Sequence, residues 1–211
     1  MNIFVEGKKM KLTIIGNGSF GSFLKELLAD KFELCESAES VVLAVPFLAY
    51  NEMGLEYGDR KHLINVCSVQ EPSTNALMAH TDEVTSIHPL FGRRTPADKR
   101  YSILTWRCGH PNEQKFLDIF ETVSPIVTET GKKDVGGKPI LFNPTTHDQL
   151  MAKTHVAALL AAEQMKIYVD RAKDIPDEFI PNSFRLLREF VKTMEDMPSG
   201  TVQSILANPY F

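Results

Sequence analysis

Three histidines, a serine and a glycine-rich hexapeptide hold most of the chemistry available to this 211-residue chain. Ser68 closes an apolar run in Val66-Cys67-Ser68-Val69-Gln70, and His88 closes another in Ser86-Ile87-His88-Pro89-Leu90-Phe91-Gly92. A histidine before a proline is held extended, which at a strand end carries its ring off the edge of the sheet. There it can accept a proton from a hydroxyl near neutral pH. A bare His-Pro with no such partner is a structural turn. His147 and His155 lie eight residues apart in a run that reads as helix. Eight α-helical steps leave them about 80° apart, on neighbouring sectors, with His147 expected as an exposed helix-start residue. Gly16-Asn17-Gly18-Ser19-Phe20-Gly21 has the G-x-G-x-x-G spacing whose backbone can receive phosphate groups.

That turn needs particular flanks, and it has them. Lys11 to Ile15 is apolar and β-branched, a short buried strand, and Phe20, Phe23, Leu24, Leu27 and Leu28 then recur as one helical stripe. Strand, glycine turn and helix together point to a dinucleotide. Gly16 allows the tight turn, Gly18 the approach of a pyrophosphate and Gly21 close helix–strand packing, with Asn17, Ser19 and Phe20 completing the loop. Phe32 to Cys35 reads as a second strand and Val41 to Pro46 as a third, whose Val45-Pro46 end borders the same ligand site. Only Glu36 to Ser40 separates these two strands, too few residues for the usual crossover helix. Glu36 lies twenty residues after Gly16, either on the ribose of an adenosine or as a solvated turn carboxylate.

Further strands are expected over 62–68, 84–90, 101–106 and 126–128, a helix over 112–123 and a charged hairpin or loop over 132–139. From Thr145 the period changes to helical, with Thr145-x-x-Asp148 resembling a capping box before a helix to about Asp170. Helices over 181–194 and 199–207 follow. The fold class is therefore α/β: a Rossmann-type, doubly wound, mostly parallel sheet in residues 1–144, then a small all-helical C-terminal domain in 145–211. Residues 1–9 are a loose extension or an extra edge strand.

Composition removes other classes. A net charge of −4 leaves no basic footprint for nucleic acid. The longest apolar run, Val41 to Tyr50, contains a proline and is too short to span a bilayer. Cys35, Cys67 and Cys108 are scattered and odd in number, which suits neither a disulfide framework nor a metal site. The N-terminus has no apolar signal core, so a reducing, cytoplasmic setting is expected. The alanine- and methionine-rich helix from Thr146 to Asp170 wraps apolar residues around its circumference and should be buried by several neighbours, a homodimer partner among them.

Ser-Val-Gln, then Ser-x-His-Pro-Leu-Phe-Gly eighteen residues on, then Thr-Thr-His-Asp-Gln-Leu-Met-Ala-Lys-Thr-His, in this order behind the glycine turn, resembles the prephenate/arogenate dehydrogenase family. The resemblance runs from about Lys11 to Ala207. It implies NAD, with NADP not excluded, and oxidative decarboxylation of a cyclohexadienol to a 4-hydroxyphenyl product in tyrosine biosynthesis. It also implies His88 as the base on the ring hydroxyl and Ser68 as support for that histidine, close to the cofactor. His155, with Thr154 in place of the usual serine, would line the substrate pocket, and His147 would join them. Arg185 and Arg188 stand where family arginines bind a substrate carboxylate, or are solvated helix charges. A non-catalytic nucleotide-binding protein and a small reductase of imines or keto acids remain as alternatives.

Overall fold

The computed structural model describes residues 9–59, 61–133, 137 and 139–211. The expected N-terminal extension and part of the 132–139 loop lie outside the described residues. The chain begins with β1 (Lys11–Ile15), α1 (Ser19–Leu28), β2 (Glu33–Leu34) and β3 (Ser40–Leu43). It continues through α2 (Tyr50–Tyr57), β4 (His62–Asn65), α3 (Glu71–Met78), β5 (Val84–Pro89), β6 (Ser102–Trp106), α4 (Glu113–Glu121) and β7 (Ile126–Val127). These strands form one sheet of order β2-β1-β3-β4-β5-β6-β7, parallel throughout except where β6 runs antiparallel to β5. A β8 (Glu129–Lys133) and β9 (Pro139–Leu141) hairpin follows.

Period-two alternation divides the strands between two cores. Leu12, Ile14, Val42, Ile64, Ile87 and Leu104 point to the face covered by α1 and α4, where Phe23, Leu24, Leu28, Phe116 and Phe120 close over them. Val41, Leu43, Leu63 and Val84 point to the other face, covered by Tyr50 of α2 and Leu77 of α3. The short second crossover is real. Residues 35–39 carry the chain from β2, on one side of β1, to β3 on the other. Thr13 in β1 pins the link: its hydroxyl donates to the Cys35 carbonyl at 2.8 Å and accepts from the Ala38 N–H at 2.9 Å. A helix is therefore not needed to close this connection.

The rest is helical: α5 (Pro144–Met151), a π-helical turn (Ala152–Val156), α6 (Ala157–Arg171), α7 (Asn182–Glu195) and α8 (Ser199–Leu206). The start of α5 differs from the expected capping box. Asn143 is the N-cap, accepting from the Thr146 N–H at 2.7 Å, while Asp148 is buried and serves another helix. Of α6 only Ala162 is buried, and Ile167 and Tyr168 are exposed, so this chain alone does not enclose the helix as its composition suggests. No helix among the described residues is long and apolar enough to cross a membrane.

Candidate active site

A cleft of about 1290 Å³ opens at the carboxyl ends of the parallel strands, where open α/β sheets receive ligands. Gly18, Ser19, Phe20 and Gly21 line it on the side of the glycine turn, Val45, Pro46 and Ser68 follow, and His88, Thr154 and His155 form the far wall, with residues 198–201, 203 and 204 at the start of α8 also on its lining. This exceeds the usual volume for a single small ligand, about 300–1,000 Å³, and suits two adjacent ones.

The glycine turn fits a pyrophosphate on geometric grounds. A Cβ on Gly18 would meet nothing within 4 Å, so the backbone is open to the cleft there. The first turn of α1 carries no acidic residue, and no side chain caps it, leaving its N–H groups for an anion. Gly16 (φ 113°) stands behind the cleft wall in close approach to Ala44, and Gly21 packs against the Gly16 carbonyl. Asn17 turns away, its amide oxygen accepting from Lys25 Nζ at 2.7 Å. Glu36 does not reach the cleft. β2 pairs with Lys11 and Leu12, and the chain beyond it is held beside Thr13 through Cys35 and Ala38. Glu36 is an exposed residue of that crossover.

At the far wall the structure builds a chain of hydrogen bonds. His88 Nδ1 lies 2.8 Å from His147 Nε2, and His147 Nδ1 lies 2.7 Å from Asp148 Oδ1. Asp148 in turn accepts from the N–H groups of Gln70 and Glu71, both at 2.8 Å, at the N-terminus of α3. His88 is 2% exposed, and His147 and Asp148 are fully buried. This order fixes the tautomers. A carboxylate only accepts, so His147 Nδ1 carries the proton and its Nε2 accepts from His88 Nδ1–H. His88 Nε2 is then left with a lone pair on the cleft side. Burial, reinforced by His147 and then His155, pushes the His88 pKa well down, keeping the resting ring neutral.

The expected angular gap between His147 and His155 closes for a local reason. A π-turn holds an extra residue, which takes up to about 100° out of the rotation between positions on either side of it. His155 consequently lies over His88 with ring centroids 6.2 Å apart and planes 23° from parallel, while His147 meets the same ring edge-on at 4.9 Å. Burial also lowers the His155 pKa, with His147 adding to it. Thr154 lines the cleft with its hydroxyl bonded to the Leu150 carbonyl.

No family model matches this chain, and neither does any curated protein. Solved structures do match. A Corynebacterium glutamicum protein provisionally identified as a prephenate dehydrogenase superposes with TM-score 0.65 at 14% identity, over 94% of this chain and 74% of that one. Prephenate dehydrogenase from Aquifex aeolicus, in complex with hydroxyphenyl propionate and NAD⁺, gives 0.63 at 14%, over 96% and 84%. Synechocystis arogenate dehydrogenase gives 0.55 at 15%, over 94% and 86%. The likeness is one of fold.

Several expected side chains take other positions. Ser68 lines the cleft but makes no hydrogen bond to His88 among the described residues; His147 orients that ring instead. His147 is not an exposed helix-start residue, because its ring is directed inward against β5 and α3. Arg185 and Arg188 do not line the cleft. They clamp the turn after α6, Arg185 through the carbonyls of Ile180 and Asp177, Arg188 through Ala172 and the Asp177 carboxylate. The arginines on the cleft are Arg93 and Arg94, which directly follow the His88 segment, the signal that would have found them. Arg93 forks onto Glu26, and Arg94 pairs with Asp196 at 3.0 Å. Among the described residues there is no cluster of acidic, histidine and cysteine side chains arranged for a metal ion.

Proposed function

We propose that this chain is an NAD(P)-dependent oxidoreductase that oxidises a ring alcohol, with prephenate or arogenate as substrate and a 4-hydroxyphenyl compound as product, the chemistry of tyrosine biosynthesis. The observation carrying this reading is His88, whose Nδ1 is engaged by His147, on the wall of a cleft continuous with the glycine turn. A nicotinamide dinucleotide, bound by Gly18 to Gly21 with Val45, Pro46 and Ser68 beside it, would supply the hydride acceptor. His88 takes the hydroxyl proton as the carbinol carbon is oxidised and the ring carboxylate leaves. Its neutral resting state suits that role. His155 and Thr154 border the substrate, and Arg94, exposed on the cleft lining, is a cation to offer a carboxylate. In this reading residues 1–144 bind the dinucleotide and 145–211 complete the substrate side.

The exposed Ile167, Tyr168, Phe179 and Leu186 favour a homodimer through the C-terminal helices. A monodisperse monomer at micromolar concentration in light scattering would remove that part of the proposal. A second reading, a nucleotide-binding protein without turnover, draws on Glu36, which is exposed on the short crossover and does not line the cleft. One experiment separates them: purified protein is mixed with prephenate or arogenate and NAD or NADP, and absorbance of the reduced nicotinamide is followed. Reduction supports the dehydrogenase; cofactor binding in calorimetry without reduction of either cofactor supports the second reading.

A further inference from the structure

His88 is a poor place to keep a positive charge. Its ring is buried, and its closest ring neighbours are two other histidines. A buried cation without a partner is strongly unfavourable. The ring that can hold the charge is one hydrogen bond further in, where His147 touches the Asp148 carboxylate.

We propose that His88, His147 and Asp148 form a proton relay that moves the charge gained at the cleft to a buried ion pair. The proposal rests on the dehydrogenase reading for the source of the proton. The O–H bond of the substrate hydroxyl breaks as an N–H bond forms at His88 Nε2. The Nδ1–H bond of His88 breaks as an N–H bond forms at His147 Nε2. His88 finishes neutral in its other tautomer, and His147 finishes as an imidazolium on Asp148. No electrons change hands in these transfers; they belong to the accompanying hydride departure.

Three features support it. The two links are of hydrogen-bond length, 2.8 and 2.7 Å, and continuous from cleft to carboxylate. Asp148 accepts from two N–H donors at the N-terminus of α3, which fix its carboxyl group against His147. The surrounding titratable groups are engaged elsewhere or lie off the path. Cys67 is buried, with its thiol pushed up to about 11, and Glu71 is engaged by the hydroxyls of Thr145 and Tyr210. His155 faces His88 and not Asp148.

The test is ¹⁵N NMR of the histidine rings in the full-length protein, joined to kinetics of His147→Gln. The relay requires resting His88 to carry its proton on Nδ1, and His147 to carry its own on Nδ1 against Asp148. Resting His88 with its proton on Nε2, or resting His147 with its proton on Nε2, overturns it. Glutamine at 147 can still accept from His88 Nδ1–H but cannot take a proton. The relay therefore predicts a loss of about 10²-fold or more in kcat, with KM little changed and the histidine limb of the pH profile flattened. A kcat within a few-fold of wild type overturns the relay and leaves His147 as a support for the ring. If wild-type protein turns over neither prephenate nor arogenate, the substrate reading fails, and the NMR measurements alone decide the relay.

Discussion

A Cβ built on Gly16 would lie 2.1 Å from the Ala44 carbonyl oxygen, on a backbone with φ near 113°, whereas one built on Gly18 would enter open space. Two glycines of one motif are therefore held for opposite reasons, one by packing and the other by the space in front of it. Gly16→Ala is expected to lower the denaturation midpoint of the protein strongly, because backbone must move. Gly18→Val should leave that midpoint nearly unchanged and weaken cofactor binding in calorimetry; unchanged binding would remove the cofactor assignment. At His88, asparagine keeps a hydrogen-bonding group and deletes the base, so kcat should fall by about 10² to 10⁴ with smaller changes in KM. Wild-type turnover by His88→Asn would make the residue a structural turn. His88 and the glycines were legible in the sequence because a strand end and a turn fix where they project. The meeting of His147 and His155 on that one ring was not, since it depends on the π-turn that follows His147 and on Asp148 reaching α3, and neither leaves a mark in local spacing.

The elements were legible where one face is apolar and obscure where it is not. Phe116, Leu117 and Phe120 identify α4, but Tyr50–Tyr57 and Glu71–Met78 have no comparable stripe and gave no helical signal, although α2 and α3 cover a whole face of the sheet. The missing crossover helix, by contrast, followed from chain length alone. Its replacement is a device of one side chain: Thr13 holds both the Cys35 carbonyl and the Ala38 N–H. Valine at this position has nearly the same shape and neither hydrogen bond. Ala38 is buried, so its N–H would be left without a partner, which costs about 1–3 kcal/mol. Thr13→Val should lower stability by that order in urea titration while Thr13→Ser, which keeps the hydroxyl, should lose less. Equal losses in the two variants would place the effect in packing and not in the hydrogen bonds. The same short connection leaves Glu36 exposed on the crossover and not among the residues that line the cleft.

Across the whole molecule, the two ends of the sheet use buried histidine differently. At the carboxyl ends of the strands His88 faces the cleft. At the opposite end His62, fully buried, bridges three strands, its Nδ1 3.1 Å from Ser40 Oγ and its Nε2 2.8 Å from Thr85 Oγ1. Burial first, and then the stacked His110, pull the His62 pKa down to about 4. An unfolded chain restores it to about 6.5. Between these values the unfolded state binds more protons than the folded one, so stability rises with pH across that window. His62 therefore contributes fully above about 6.5 and progressively less as pH falls toward about 4, by at most about 1.4 kcal/mol for each pH unit. His88 and His155, also lowered by burial, act with the same sign. Urea midpoints of the wild-type protein should thus decline from neutral to mildly acidic pH at constant salt. His62→Gln removes one titrating group far from the cleft and should make that decline shallower, while the pH dependence of kcat, set at the other end of the sheet, stays as in wild type. A decline as steep in His62→Gln as in the parent would mean that the acid sensitivity belongs to the His88 cluster, and that stability and activity share one titration.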